Sequence, residues 1–209
     1  MNIIVKLSLS ACVLALVGCA TGKHNYVQPS EYKHNSNTKT INKSFDTLWR
    51  DAVASLGKQF FVINNLDKSS GLINVSYSGS PEKYVDCGIH NSEVADIKGK
   101  RTYSINGASP YAEYETKDGL FITSITRKMS LEGRMNLLIQ PISTNQTSAT
   151  VNTKYIINRA ASFRSTDGRF GSANDTISFN TGGSDAFPTG TTVCTSKGTL
   201  EQEVLNLIN

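Results

Sequence analysis

The clearest periodic pattern in the chain lies in residues 44–57. Its apolar residues recur at intervals of three and four, and so share one helical face: Phe45, Leu48, Trp49, Ala52, Val53 and Leu56. Ser44 is a favoured N-cap residue, and Gly57 suits the position after the last turn. The pattern predicts an amphipathic helix. Similar spacing in residues 199–208 predicts a second helix at the end of the chain.

Alternating apolar and polar residues predict strands between the two helices. Residues 60–66 and 72–78 read as a hairpin in which Gly71 supplies the positive φ of the loop. Residues 134–142 and 149–159 read as a longer hairpin. On its second strand, one face carries Val151, Thr153, Tyr155 and Ile157. The order of elements predicts an α+β fold, with an antiparallel sheet packed on two helices in a single domain over residues 41–209.

Two regions show no clear period. Residues 79–119 are punctuated by glycine and proline, and their tyrosines either line a binding surface or pack on the domain. Residues 160–175 are polar and, with the residue before them, carry Arg159, Arg164 and Arg169. They read as an exposed loop that is either simply solvated or binds an anionic surface.

The N-terminus has the layout of a bacterial export signal. Lys6 precedes an apolar stretch at residues 7–17, which is far shorter than the roughly 20 residues that span a bilayer. It ends in Leu-Val-Gly-Cys, the pattern for cleavage before Cys19 and attachment of acyl chains, palmitate included, to that cysteine. We therefore expect a signal peptide at 1–18 and a lipidated, flexible tether at 19–40. Ala20, in place of an aspartate that would favour inner-membrane retention, indicates the outer membrane.

Composition adds a limit on partners. The formal net charge is only +4, which gives no indication of nucleic-acid binding. Apolar residues make up 38% of the chain, which is enough for a globular core. The expected attachment to the membrane is therefore the lipid on Cys19.

The cysteines can be sorted by position. Cys12 leaves with the signal peptide and Cys19 takes the lipid, so Cys87 and Cys194 remain. An exported protein meets an oxidising compartment, where a remaining pair favours a disulfide. Two free buried thiols are the alternative. Neither cysteine has the spacing of a metal site, and we expect no metal or other cofactor.

No catalytic motif is present in the sequence. There is no nucleophile elbow, metalloprotease helix, phosphate-binding loop or dinucleotide fingerprint. His24 and His34 fall in the expected tether, which leaves His90 as the one plausible base. A solvated loop histidine fits the same pattern, and we expect the protein not to be an enzyme.

Part of the chain resembles the helix-grip domains of BamC-like (NlpB-like) outer-membrane lipoproteins, accessory subunits of the β-barrel assembly machine. The resemblance covers the tryptophan-bearing helix start at 45–49, the strand at 61–63, the polar turn at 67–71 that ends in Ser-Gly, and the strand at 72–77. Other segments are similar to uncharacterised proteobacterial lipoproteins. The resemblance implies a helix-grip-like sheet and an envelope location.

These observations lead to an expected function. The chain reads as an outer-membrane lipoprotein that faces the periplasm, with a structural or assembly-accessory role and an envelope protein as partner. The alternative is a binding module for a lipid or cell-wall fragment, held in a helix-grip cavity lined by Trp49, Phe61 and Tyr155. Trp49 also reads as an ordinary core anchor of the first helix.

Overall fold

The computed structural model describes residues 20–30 and 36–208. The expected signal peptide, Cys19 and His34 lie outside the described residues. The helices are α1 (Phe45–Leu56) and α2 (Thr199–Leu207). The strands are β1 (Thr21–Val27), β2 (Thr38–Ile41), β3 (Val62–Asp67), β4 (Leu72–Gly79), β5 (Val85–Asp86), β6 (Ile89–Asp96), β7 (Gly99–Asn106), β8 (Tyr111–Asp118), β9 (Phe121–Ser143), β10 (Gln146–Ser165), β11 (Phe170–Asn180), β12 (Ser184–Ala186) and β13 (Val193–Ser196).

The expected α+β class is wrong. Strands make up 61% of the described residues and helices 11%, and the sheets are antiparallel. The expectation failed because several strands alternate weakly or are polar on both faces. The Gly- and Pro-rich region at 79–119 forms β5 to β8, and the expected basic loop at 160–175 continues β10 and β11.

A long two-stranded ribbon organises the molecule. β9 and β10 pair along nearly their whole length, from Ser143 opposite Gln146 to Thr123 opposite Ser165. β8 and β4 pair with successive parts of β9, while β11 and β2 pair with successive parts of β10. β3 adds to β4 at one edge. The ribbon therefore has two halves with different neighbours.

The half nearer the β9–β10 turn is covered by the helices. α1 contacts β9 and β10, α2 contacts β10, and the helices contact each other. The buried residues beneath them form the main core, with Leu131, Leu137, Val151 and Ile157 each at most 1% exposed. Burying such side chains contributes about 1.5–3 kcal/mol each. The other half carries a three-stranded sheet, β1–β6–β7, that packs against β8.

The predictions made from short-range patterns are confirmed here. α1 begins after Ser44, whose side chain accepts a hydrogen bond from the Thr47 N–H. β3 and β4 form the expected hairpin. Gly71 has φ +70°, and a Cβ there would lie 2.1 Å from the Ile139 carbonyl oxygen, so only glycine fits.

The segment expected to be a flexible tether contains two strands. β1 pairs with β6 from Thr21 opposite Ala95 to Val27 opposite Ile89, and β2 pairs with β10. The sequence does not predict β1, because only Tyr26 of this strand is even half-buried and no alternating apolar pattern results. Its stability comes from pairing with β6 and packing on β8. Among the described residues, regular structure thus starts at Thr21, well before residue 41.

Candidate functional site

The inner face of the ribbon changes character where the small sheet replaces the helices. Alternate residues of β9 and β10 point inward, and under the helices they are mostly aliphatic. Continuing in the same register, the next inward positions are Arg127 on β9 and Arg159 on β10. Arg127 is only 3% exposed. Two arginines therefore lie between the ribbon and the structure that covers it.

A cleft of about 520 Å³ opens beside Arg159, which lines it. Its walls come from β1, β6, β8, β9, β10, β11 and the segment before β13. The charged and aromatic residues that line it are His24, His90, Tyr114, Lys117, Asp118, Arg159 and Phe163. Thr189 and Thr192 contribute hydroxyls. The cleft therefore brings charged, aromatic and hydroxyl side chains together on one concave surface.

His90 lies at the inner end of the cleft and is 7% exposed. Its ring stacks on Tyr26, with centroids 4.7 Å apart, and on His24 at 5.6 Å. Its Nε2 is 3.0 Å from the Thr192 hydroxyl. Its Nδ1 has no hydrogen-bond partner among the described residues. Unpaired buried polar atoms are rare in folded proteins, which sets this nitrogen apart from the other polar atoms around it.

The electrostatics of the cleft keep His90 neutral. Burial, followed by the positive charges of Arg127, His24 and Arg159, lowers the pKa of His90 to about 4. Burial also raises the pKa of Tyr114, although Arg127 and Arg159 oppose that shift. Both side chains are therefore uncharged near neutral pH, and the charge beside them that no carboxylate pairs among the described residues is that of Arg127.

Arg159 is held by an ion pair at the wall of the cleft. Its Nη2 lies 2.6 Å from Asp175 Oδ2 and 2.6 Å from the Thr189 carbonyl oxygen. The side chains of the pair are 10% and 8% exposed. The guanidinium also stacks over the Phe187 ring at 4.0 Å. The hydrogen bond from Arg159 lowers the pKa of Asp175, while Arg159 Nε remains unpaired among the described residues.

The predicted disulfide is confirmed, and it fixes the back of the site. Cys87 and Cys194 are bonded across 107 positions and are fully buried. Beside the bond, Tyr26 accepts a hydrogen bond from the Val193 N–H at 2.9 Å and lies 3.1 Å from the Val193 carbonyl oxygen. β1 is thereby hydrogen-bonded to β13, next to the disulfide that joins β13 to Cys87. These contacts hold the two sides of the cleft together.

The residues expected to line a helix-grip cavity lie in the core. Trp49 is 8%, Phe61 7% and Tyr155 0% exposed. The Tyr155 hydroxyl donates to buried Glu201 on α2 at 2.7 Å, and burial followed by the Glu201 charge raises the pKa of Tyr155. None of the three lines the cleft or the 560 Å³ cavity beside the disulfide. Their packing shows how the helices attach to the ribbon.

Sequence reasoning found His90 but missed its neighbours. The sequence places His24 in the expected tether. It leaves Tyr114 among tyrosines that either line a binding surface or pack on the domain, and Arg159 in a loop that is either solvated or binds an anionic surface. The signal for Arg159 was present, because extending the alternating face of Val151 to Ile157 by two residues places Arg159 on the inner side. The contact between His24 and His90 joins distant segments and has no local signal.

The arrangement suits binding of an anionic or polar group. Arg127 supplies a positive charge that no carboxylate pairs among the described residues, whereas the charge of Arg159 is paired with Asp175. His90 Nδ1 and Arg159 Nε are buried and have no hydrogen-bond partner in the described part of the chain. In the described ranges, no hydrogen bond links His90 to a carboxylate, and no cluster of three or more His, Cys, Asp or Glu residues is placed to hold a metal. No helix in the same ranges is long and apolar enough to cross a membrane.

We expect stability to fall with acidification through His90. In the unfolded chain the imidazole takes up a proton near its ordinary value of 6.5, whereas in the fold it stays neutral down to about 4. Its contribution is therefore complete above about pH 6.5 and is lost as the pH falls toward 4. Replacing His90 with Phe keeps the aromatic stacking but removes the titrating group. The decrease in the free energy of unfolding between about pH 7 and pH 4.5 should therefore be smaller in the variant by roughly 2.5 kcal/mol.

Urea unfolding of both proteins at the two pH values measures this difference. The His90→Phe variant also loses the Thr192 contact, but that cost does not depend on pH and cancels in the comparison. An NMR titration that placed the His90 pKa near 6.5 in the folded protein would contradict the prediction.

Comparisons with known proteins give no family. No protein-family model matches the sequence, and neither a curated protein nor a solved structure shows significant similarity to it.

Proposed function

We propose that this chain is a lipid-anchored, non-catalytic protein of the bacterial envelope. It is attached through Cys19 to the periplasmic face of the outer membrane and has a structural or assembly-accessory role. The observation that carries the proposal is the Leu-Val-Gly-Cys sequence at residues 16–19, placed directly after a charged and then apolar leader. Ala20 supports the outer rather than the inner membrane.

The disulfide supports export. A buried bond between Cys87 and Cys194 persists in an oxidising compartment such as the periplasm and is rare in the cytosol. It uses the two cysteines that remain when Cys12 is removed and Cys19 is acylated. The four cysteines are thus all accounted for by one export and lipidation pathway.

The cleft supports a binding role. It combines positive charge, unpaired polar atoms and aromatic walls in a frame fixed by the disulfide. Such a rigid concave surface suits an anionic group of an envelope partner, for example a carboxylate on a protein chain. An accessory protein of this kind contributes location and binding rather than chemistry.

A labelling experiment in a Gram-negative host tests the anchor. The wild-type protein should incorporate labelled palmitate and float with the outer membrane, whereas Cys19→Ala should lose the label. Cys12→Ala is the matched control, because that cysteine lies in the same leader and should leave labelling unchanged. A further variant, with an ordinary cleavable export signal fused ahead of Thr21, should be recovered as soluble periplasmic protein.

Two results would overturn the proposal. If Cys19→Ala still incorporates palmitate, Cys19 is not the lipidated residue. If the wild-type protein is found in the soluble fraction, it is not anchored to the membrane. Periplasmic crosslinking that recovers no protein partner would contradict the accessory role while leaving the anchor intact.

A further inference from the structure

Apolar side chains are concentrated on three hairpin tips. Among the described residues, the four most exposed large apolar side chains are Phe60, Ile97, Phe170 and Leu120, at 92%, 91%, 80% and 79%. Ile97 lies in the β6–β7 turn, Leu120 in the β8–β9 turn, and Phe170 directly after the β10–β11 turn. Two-residue hairpin loops ordinarily carry Asn, Asp or Gly, so Ile97 and Leu120 are unusual occupants.

The three tips lie at one end of the molecule. A Cβ on Gly22 would be 2.5 Å from Cβ of Lys117, so the start of β1 touches the end of β8. Thr21 pairs with Ala95, two residues before Ile97 at the β6–β7 tip. On the other side, the Thr166 N–H donates to the Ile122 carbonyl at 2.9 Å, which joins the β10–β11 tip to the β8–β9 tip.

The lipidated residue of the proposed function lies next to this end in the chain. Only Ala20 separates Cys19 from Thr21, the first residue of β1. Two residue steps reach at most about 7 Å. A free tether of twenty residues would instead reach about 25 Å. The start of β1 therefore lies close to any lipid attached to Cys19.

We propose that the tips bearing Ile97, Leu120 and Phe170 insert into the phospholipid surface in which the Cys19 lipid is anchored. This inference rests on the proposed function, because the lipid brings that end of the protein to the membrane. Phe121 and Phe163, at 38% and 43% exposed, extend the same apolar surface. We refer to these five residues as the apolar rim.

The charges around the apolar rim fit an interfacial position. Lys98 and Arg164 are exposed at the same end and can reach anionic headgroups. Asp96 is paired with Arg101 at 2.8 Å and Asp167 with Arg169 at 2.6 Å, whereas Asp118, also exposed at this end, has no ion pair among the described residues. Apolar side chains flanked by basic ones are typical of surfaces that rest in the headgroup region.

Docking by the apolar rim fixes the orientation of the protein. The cleft shares Lys117, Asp118 and Phe163 with this end of the molecule, so it opens beside the membrane. Phe60 lies far away, because neighbouring Val62 pairs with Ser76 and through it with Arg134. Arg134 is on the order of 40 Å along β9 from the rim. Phe60 therefore faces away from the bilayer.

Quenching by brominated lipids tests the inserted end. The full lipidated protein is reconstituted in phosphatidylethanolamine–phosphatidylglycerol vesicles, with Trp introduced singly as Ile97→Trp, Leu120→Trp or Phe170→Trp. Phe60→Trp is the control of equal exposure, and buried Trp49 provides a common background. We expect brominated acyl chains to reduce the added emission at least twofold at each rim position, and by less than one tenth at Phe60.

The outcomes separate this inference from the function on which it rests. If the protein floats with the vesicles but the rim tryptophans are quenched no more than Phe60→Trp, then the apolar rim does not insert into the membrane. Lipid anchoring through Cys19 would still hold in that case. If the wild-type protein from cells carries no lipid and does not float, the proposed function itself fails. Equal quenching at the three tips and at Phe60 would show a molecule without fixed orientation and would also overturn the inference.

Discussion

Replacing Cys87 and Cys194 together with alanine should lower the free energy of unfolding by about 4–5 kcal/mol. The bond closes a loop of 107 positions, and removing it restores the conformational freedom of that loop to the unfolded chain. The chain also loses the covalent link that holds β13, and α2 directly after it, to the middle of the sequence. Urea unfolding at 25 °C measures the change.

Reduction of the wild-type protein provides the control. Treatment with a thiol reductant in urea opens the same loop without altering either side chain, so the reduced wild type should be destabilised by a similar amount. The two alanines leave small cavities, and the double variant should therefore be slightly less stable than the reduced protein. Equal unfolding free energies for oxidised and reduced wild type would show that the disulfide does not stabilise the fold.

Replacing Asp175 with alanine should be the second most damaging change, at about 3 kcal/mol. The substitution leaves the Arg159 guanidinium, which is 10% exposed, without its carboxylate partner. It also removes a hydrogen-bond acceptor of Thr189, which helps to hold the segment before β13 against the cleft. Chemical denaturation of the purified variant measures the loss.

Two matched variants isolate the cause. Asp167→Ala removes the partner of Arg169, whose side chain is 68% exposed, and should destabilise the protein far less than Asp175→Ala does. Combining Arg159→Met with Asp175→Ala removes the buried charge and should recover part of the lost stability. If the double variant is less stable than Asp175→Ala, then the unpaired charge is not what destabilises the single variant.

The parts of the fold that sequence predicts are those fixed by neighbouring residues. α1 follows from its apolar spacing and from Ser44, and the β3–β4 hairpin follows from alternation and Gly71. The cysteine pair follows from counting, once Cys19 is set aside. In each case the signal lies within one short segment or in simple arithmetic.

The rest depends on contacts between distant segments. β1 carries few apolar residues and forms because β6 and β8 lie beside it, so its sequence reads as a tether. Past Ile157 the aliphatic face of β10 ends, although the strand continues for eight residues, to Ser165. Arg159 is directly opposite Asp175 in that extension, and their pairing was visible only once the hairpin was known to be long. These omissions made a mostly β-sheet protein look like an α+β one.

The central claim is that residue 19 anchors the protein to a membrane. The most direct test is the mass of the N-terminal peptide of the protein isolated from cells. We expect the mature chain to begin at Cys19, to have lost residues 1–18, and to carry the added mass of acyl chains on that cysteine. A mature chain that begins elsewhere, or an unmodified Cys19, would contradict it.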